Sequence, residues 1–297
     1  MDTKKIEALL LAVEKGSLSL AAEQLGYTQS GLTHMMNSLE DELEIKLLER
    51  SKSGVRLSPA GQTLIQEMKD LSTASLALER KASRIRDDSL STLRLGAYSS
   101  VVRHWMPSVL AGFREENPDT VVLMDAGSIT EIYARTKADL LDCAIVSYQV
   151  DLIQGLRWIP LREDRLVAIL PENYSSAQDV FPVGNFSDLE FIMPSACFDM
   201  DINPVFSMCA EKVSPRISYS NLDDAAIVSM VSHGLGVSIL SELVMQDMNA
   251  AVRVLPLCPE ASRSLGIIVS EEKLGSRSIS RFIKCAQQVI KSMYSQK

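Results

Sequence analysis

The sequence predicts an α/β protein in three parts. Three observations carry that prediction. Short helical patterns crowd the first 58 residues, apolar residues then recur every seven positions from Leu64 to Ile85, and beyond residue 90 strand-like and helix-like runs alternate. At 297 residues the chain is about twice the length of a single domain, which fits more than one folding unit. The divisions fall at a head over 1–58, a single long helix over 59–88, and a larger region over 89–297.

In the head, Ile6, Leu9, Leu10 and Val13 repeat at helical spacing and bury one stripe. Gly16 stops that helix, and Ser17 or Ser19 caps a second whose inward positions are Ala21, Ala22 and Leu25. Gly26-Tyr27 turns the chain, and Thr28 caps a third helix carrying Leu32, Met35, Met36, Leu39 and Leu43. Two helices joined by a glycine-containing turn, with Ala-Ala where they cross, form a helix-turn-helix. Lys46–Glu49 and Val55–Leu57 flank Ser51-Lys52-Ser53-Gly54, the pattern of a two-stranded wing.

Pro59 suits a helix start, and the next proline is Pro107. Leu64, Leu71, Leu78 and Ile85 make an apolar heptad row, with Met68, Ser75 and Ala82 at the complementary position. A helix over 59–86 is a rod of ~42 Å, and its leucine row is expected to pair two chains. Asp87-Asp88-Ser89 reads as a hinge.

Strand-like runs follow at Leu93–Gly96, Thr120–Met124, Cys143–Val146, Arg165–Leu170, Phe191–Met193, Arg216–Tyr219, Val237–Leu240, Val252–Leu255 and Leu265–Val269. Helical stretches lie between several of them, at Trp105–Glu116, Glu131–Ala138, Pro204–Glu211, Asp223–His233 and Arg277–Met293. This alternation predicts parallel-rich sheets with covered faces. The strand number suggests two α/β subdomains, one of about 89–164 with 265–297 and one of about 165–264.

Composition narrows the function. A net charge of −8 argues against a surface that sticks wholesale to nucleic acid or anionic membrane. The apolar run at Leu9–Val13 is too short for a secretory signal. The longest uncharged stretch, Ala225–Ser241, is too polar for a membrane span. Five scattered cysteines without a Cys-x-x-Cys read as reduced thiols of a cytoplasmic protein. There is no Gly-x-Ser-x-Gly, no His-Glu-x-x-His and no phosphate-binding loop, and His34, His104 and His233 lack metal-ligand spacing with the cysteines. An enzyme is therefore not expected, nor a cofactor, nor a metal.

The residues Ala21-Ala22-Glu23-Gln24-Leu25, Thr28-Gln29-Ser30-Gly31-Leu32-Thr33, Leu39-Glu40, Glu49-Arg50 and Leu57-Ser58-Pro59-Ala60-Gly61 stand at one characteristic spacing. Through them the chain resembles the LysR-type transcriptional regulators, closely over residues 3–88 and as architecture beyond. The resemblance implies a winged helix-turn-helix, a linker helix and two Rossmann-like effector subdomains similar to periplasmic binding proteins. It also implies a homodimer or homotetramer acting on double-stranded operator DNA, a small-molecule effector and contact with RNA polymerase. Gly31, Glu44 and Leu48 depart from the family's preferences for Ser or Ala, Gly, and Phe. The segment Thr28–Asn37 has no Lys or Arg, and over residues 1–60 acidic side chains outnumber basic ones. Reading of bases then falls to Thr28, Gln29, Ser30, Thr33, His34 and Asn37, and phosphate contacts fall to Arg50, Lys52 and Arg56.

Ligands of open α/β sheets bind beyond strand ends, where helix N-termini point backbone N–H groups. Such positions here are Tyr98, Ser99, Ser100, Ser128, Ser147, Ser195, Asn203 and Ser220, which match the lining of the family's effector cleft. Apart from Arg103 these segments carry no arginine, so neutral hydrogen bonding to a small polar metabolite is expected. A second reading, drawn from peroxide-sensing members of the family, makes Cys197 and Cys209 a redox pair. Their wider gap, the lack of a following Arg, and Asp199 and Asp201 nearby oppose a reactive thiol. A third reading is a solute-binding protein or enzyme whose N-terminal helices only dimerise.

Overall fold

A computed structural model describes residues 2–51, 54–86, 92–175, 179–194, 199–209, 213–246 and 248–295. Contacts divide the chain into Met1–Asp88 and Ser89–Lys297.

The first unit comprises helices α1 (Thr3–Glu14), α2 (Leu18–Leu25) and α3 (Gln29–Leu43), an antiparallel hairpin of β1 (Leu48–Ser51) and β2 (Gly54–Leu57), and helix α4 (Pro59–Arg86). Asp2, Ser17 and Thr28 cap the first three helices, each accepting from a backbone N–H inside the first turn. Of the two candidate caps for α2, Ser17 takes the position. Ile6, Leu9, Ala12, Ala21, Ala22, Leu32, Met36 and Leu39 close the core, joined by Leu47, Val55 and Met68. Ala21 and Ala22 are small enough to let α2 lie close to its neighbours.

A second framework is polar. Glu40 is only 4% exposed, and its carboxylate accepts from the backbone N–H groups of Leu47 (2.8 Å) and Leu48 (3.0 Å) and from Lys46 Nζ (2.7 Å). It thereby fastens the end of α3 to the start of the wing. Ser58 Oγ donates to the Lys46 carbonyl at 2.5 Å and accepts from Gly61 N at 2.9 Å. A Cβ at residue 61 would lie 2.4 Å from the Leu47 carbonyl oxygen, so only glycine lets α4 begin this close to the wing. Glu44 sits at φ 55, the left-handed region after α3, which explains why glycine is preferred at that position.

Helix α4 serves two purposes along its length. Leu64 and Met68 pack into the head's own core, Ser72 is buried, and Ser75 Oγ donates to Thr3 Oγ1 at 3.2 Å. Leu64, half-buried, thus packs at least in part within its own chain. Leu71 (37%) and Leu78 (70%) remain exposed. The side chain of Ile85 and the hinge at 87–89 lie outside the described residues.

The second unit runs β3 (Thr92–Ala97), α5 (Ser99–His104), α6 (Met106–Glu116), β4 (Val121–Ala126), α7 (Ile129–Lys137), β5 (Cys143–Ser147), β6 (Leu156–Pro171), β7 (Phe181–Pro182), β8 (Glu190–Pro194), α8 (Asp199–Ser207), β9 (Arg216–Leu222), α9 (Asp224–Ser232), β10 (Ser238–Ser241), α10 (Glu242–Met245), β11 (Val252–Ser270) and α11 (Arg277–Tyr294). The main sheet has the order β10-β6-β11-β5-β3-β4, with β7 beside β11, while β8 and β9 form a parallel pair.

Two expectations change here. Arg165–Leu170 is the far half of β6, and Val252–Leu255 and Leu265–Val269 are the two ends of β11. These long strands pair antiparallel across both halves, with register shifts between Pro256 and Ala261 and between Leu265 and Gly266. The sheet is thus mixed, and the subdomains share two strands rather than owning separate sheets. Pro256 and Pro259 look like strand breaks in sequence, but a register shift absorbs them, while the charged run Arg162–Arg165 pairs in unbroken register with residues 262–265. Helix α8 begins at Asp199 rather than Pro204, and Pro204 lies inside it, forgoing one backbone hydrogen bond.

Alternation on β6 then builds two cores in the second half. Leu166, Ala168 and Leu170 face Phe181, Phe186 and Phe191, while Val167 and Ile169 face Ile227, Val228 and Val231 of α9. The first half is packed around Trp105, Phe113, Tyr133, Ile145, Ile267 and Phe282.

Burial raises the Glu40 carboxyl, but the hydrogen bonds from Lys46, Leu48 and Leu47 outweigh it and hold the group below its ordinary value. Its stabilisation is therefore complete above the usual glutamate range and lost as pH falls through the depressed value. Glu40→Gln leaves backbone donors poorly paired and should cost about 1–3 kcal/mol near neutral pH. In urea titrations the wild-type advantage should shrink toward pH 3; an advantage independent of pH would contradict this assignment.

Candidate functional sites

The head presents one polar face. Thr28 Oγ1 accepts from Gly31 N at 3.0 Å and lies 3.2 Å from Ser30 Oγ, so its hydroxyl is engaged in the cap. Gln29, Ser30, His34 and Asn37 are exposed on α3, and Thr33 is half-buried between them. Asn37 Oδ1 accepts from Arg50 Nη2 at 3.0 Å, which ties a side chain of the recognition helix to one of the wing. Arg56 is exposed on β2 directly opposite Glu49 of β1, and Lys52 lies outside the described residues.

In the second unit the structure gathers some sequence-predicted residues and scatters others. Tyr98, Ser100 and Ser147 are buried, the first and last 2.8 Å apart at their hydroxyls and Ser100 beside Arg263 of β11. Ser99 is exposed. Ser128 is taken up by a capping box with Glu131 at the start of α7. Asn203 and Ser220 are exposed on α8 and β9, and Ser195 lies outside the described residues.

The centre of this cluster is Arg263, which the sequence reading missed. Its side chain is 2% exposed and stands directly across from Asp164 in the β6–β11 register. Asp164 Oδ2 accepts from Arg263 Nε (2.9 Å) and lies 2.8 Å from Nη2 as an ion pair, and its Oδ1 accepts from Leu243 N (3.0 Å). Arg263 Nη2 also donates to Ser241 Oγ (2.9 Å) and Ser100 Oγ (3.2 Å), and the guanidinium lies 5.3 Å from the centre of the Tyr98 ring. On the far side, Asp201 Oδ2 is 3.5 Å from Arg263 Nη1.

Asp201 comes from α8 in the second half, yet its other partners belong to the first. Its Oδ1 accepts from Ser147 Oγ at 2.7 Å and Gln149 Nε2 at 2.8 Å. Ser147 has one proton, which goes to Asp201; the Tyr98 hydroxyl, 2.8 Å away, therefore donates to Ser147. Burial holds the Tyr98 phenol far above its ordinary value, so this donor stays protonated. Burial also raises Asp201, against the pull of Arg263, Ser147 and Gln149. Asp224, at the start of α9, is likewise raised by burial while Arg263 and Arg103 oppose the shift. The surroundings of these hydroxyls are thus charged rather than neutral.

Period-two burial could have exposed this site. Arg263 shares its face of β11 with Ala261, Leu265, Ile267 and Val269, and Asp164 shares its face of β6 with Leu166 and Ala168.

Of the thiols, Cys209 is half-buried against the aromatic core of the second half, and Cys197 lies outside the described residues. Burial pushes Cys143 and Cys285 up, making them poor nucleophiles. Among the described residues no cluster of His, Cys, Asp and Glu is placed to hold a metal, and no helix is long and apolar enough to cross a membrane.

Comparison with known proteins matches both units. Residues 3–62 match the family described as bacterial regulatory helix-turn-helix protein, lysR family, and residues 86–291 match the LysR substrate binding domain. The chain is 22% identical to the HTH-type transcriptional regulator YvbU of Bacillus subtilis, over 97% of its own length and 99% of that protein. Among solved structures it resembles full-length BenM (TM-score 0.59, 20% identity, 100% of this chain and 97% of that one). It also resembles full-length CbnR complexed with its target DNA (TM-score 0.52, 17% identity, 96% and 100%).

Arg263→Ala leaves Asp164 and Asp201 buried without their cation. It should destabilise the second unit by about 3–5 kcal/mol, as for a broken buried ion pair. Urea unfolding followed through Trp105 and Trp158 measures this; a loss under about 1 kcal/mol would mean that the network is solvated and Arg263 does not organise it.

Proposed function

Because the chain belongs to the LysR family of transcriptional regulators, joining a helix-turn-helix to an effector-binding domain, we propose how it reads DNA and what controls it. Two copies present their α3 helices to adjacent major grooves of operator DNA, and a small polar metabolite in the cleft between the two α/β halves alters the spacing of the heads. The exposed polar face from Gln29 to Asn37, bracketed by Arg50 and Arg56, carries this reading. A module used only for dimerisation would have no reason to keep such a face polar.

On this reading Gln29 pairs with an adenine edge, for which its amide offers one donor and one acceptor. Arg50, steadied by Asn37, and Arg56 contact phosphates and set the register. So few cations release few counterions, and useful affinity requires two heads on one duplex. The exposed Leu71 and Leu78 supply the seam that joins them. Further pairing of the α/β regions makes a tetramer, RNA polymerase is the downstream partner, and the protein works in the cytoplasm without catalysing a reaction. The effector acts by binding one relative orientation of the halves better than the other, since equal affinity would shift nothing.

Footprinting and titration with purified protein test the DNA half of this proposal. Gln29→Ala should weaken preference for the operator by about 1–3 kcal/mol, while Arg56→Ala should weaken all sequences alike and flatten the salt dependence. Wild-type binding by both variants to every sequence would remove α3 and the wing from the interface. Leu71→Asp with Leu78→Asp places charge in the seam and should split the oligomer in sedimentation. An unchanged oligomer with intact operator affinity would put the seam elsewhere.

A further inference from the structure

The Asp201 contact has the form of a bound ligand. A carboxylate accepts from a hydroxyl and a side-chain amide and faces a guanidinium 3.5 Å away. These donors stand on β5, the segment after it and β11, whereas the carboxylate arrives from α8. Ser147 is fully buried, the Arg263 and Asp201 side chains are 2% and 3% exposed, and Tyr98 backs Ser147 with its own hydroxyl. Ile202 and Val205, one and four residues after Asp201 along α8, anchor the helix in the aromatic core of the second half.

Resting on the cleft reading above, we propose that Asp201 is a built-in ligand mimic. Ser147, Gln149 and Arg263 form an anion site, the effector that enters it carries a carboxylate, and binding replaces Asp201 instead of filling an open cleft.

Charge restricts the ligand to a monoanion. Arg263 is already matched by Asp164 at 2.8 Å, so the pair brings no net positive charge to the site, and Asp224 adds further negative character nearby. A dianionic phosphate would find its second charge uncompensated in a buried setting, whereas a carboxylate repeats what Asp201 already does. Displacement also couples binding to shape. The contact being broken runs between the halves, so a ligand that takes over Ser147 and Gln149 loosens α8, leaving Met200 as its hold on the first half's core. A tethered carboxylate competes at high effective concentration, so a simple monocarboxylate cannot displace it, and the true effector must add contacts of its own.

Chemical rescue tests this on the full-length chain. In Asp201→Ala the donors lose their anion, and sodium acetate at constant ionic strength and neutral pH should raise Tm saturably, by about 2–4 °C. Wild type should show no such rise over the same range, and adding Ser147→Ala to the variant should abolish it. A response equal in wild type and variant, or retained without Ser147, overturns the proposal, as does no response in the single variant. If Asp201→Ala does not fold, Asp201→Asn keeps the shape, and its neutral amide should yield to acetate where the wild-type carboxylate does not. Sodium sulfate, a dianion at neutral pH, should have no saturable effect in place of acetate; rescue by sulfate overturns the restriction to monoanions. The measurement involves no DNA. A negative result leaves metabolite control of DNA binding standing, whereas failure of that reading shows as a wild-type footprint that no metabolite alters.

Discussion

A guanidinium keeps its proton at every physiological pH, so burying Arg263 obliges the chain to bring counter-charge to it. Much of the second unit answers that demand. Asp164 stands across the ladder from it, and the β6–β11 register is thereby pinned, since a one-residue slip would put the two side chains on opposite faces of the sheet. Through Ser100 the guanidinium holds the start of α5, and through Ser241 it holds the end of β10. Asp164 then fixes the first turn of α10 by accepting from Leu243 N, and Asp201 draws in α8. The two long strands provide the frame, but the charge decides where along them the halves meet.

The head solves a similar problem with the opposite sign and far less burial of charge. Glu40 is a carboxylate surrounded by backbone donors rather than by a fixed cation, and its one charged partner, Lys46, is exposed. Such an arrangement fastens α3 to the wing while leaving the outer face of α3 free of structural duty, apart from the Thr28 cap and the Asn37–Arg50 contact.

The head was almost wholly legible in the sequence because its constraints are local. Caps, the Ala-Ala crossing and the Leu-Ser-Pro-Ala-Gly entry to α4 each act within a few residues. The second unit was legible where strand ends announce themselves, which is how Tyr98, Ser100 and Ser147 were reached. It was opaque where partners are distant: Ser147 and Asp201 are separated by 54 residues and Asp164 and Arg263 by 99. Charged residues in the middle of a strand read as solvent-facing unless the alternation of their neighbours is followed. Ser128 shows the converse ambiguity, since a hydroxyl after a strand serves a helix cap as readily as a ligand.

The close seating of Gly61 on the Leu47 carbonyl makes α4 a lever rooted in the reading head. With no room for a side chain at that joint, the helix cannot pivot without carrying the wing and, through Glu40, α3 with it. A rod of ~42 Å converts angle into distance: a change of about 5° in the crossing of two such helices moves their far ends by roughly 4 Å. That is close to the ~3.4 Å that separates successive base pairs. A one-base-pair change in the spacing of two such heads would thus take only a few degrees at the helix crossing.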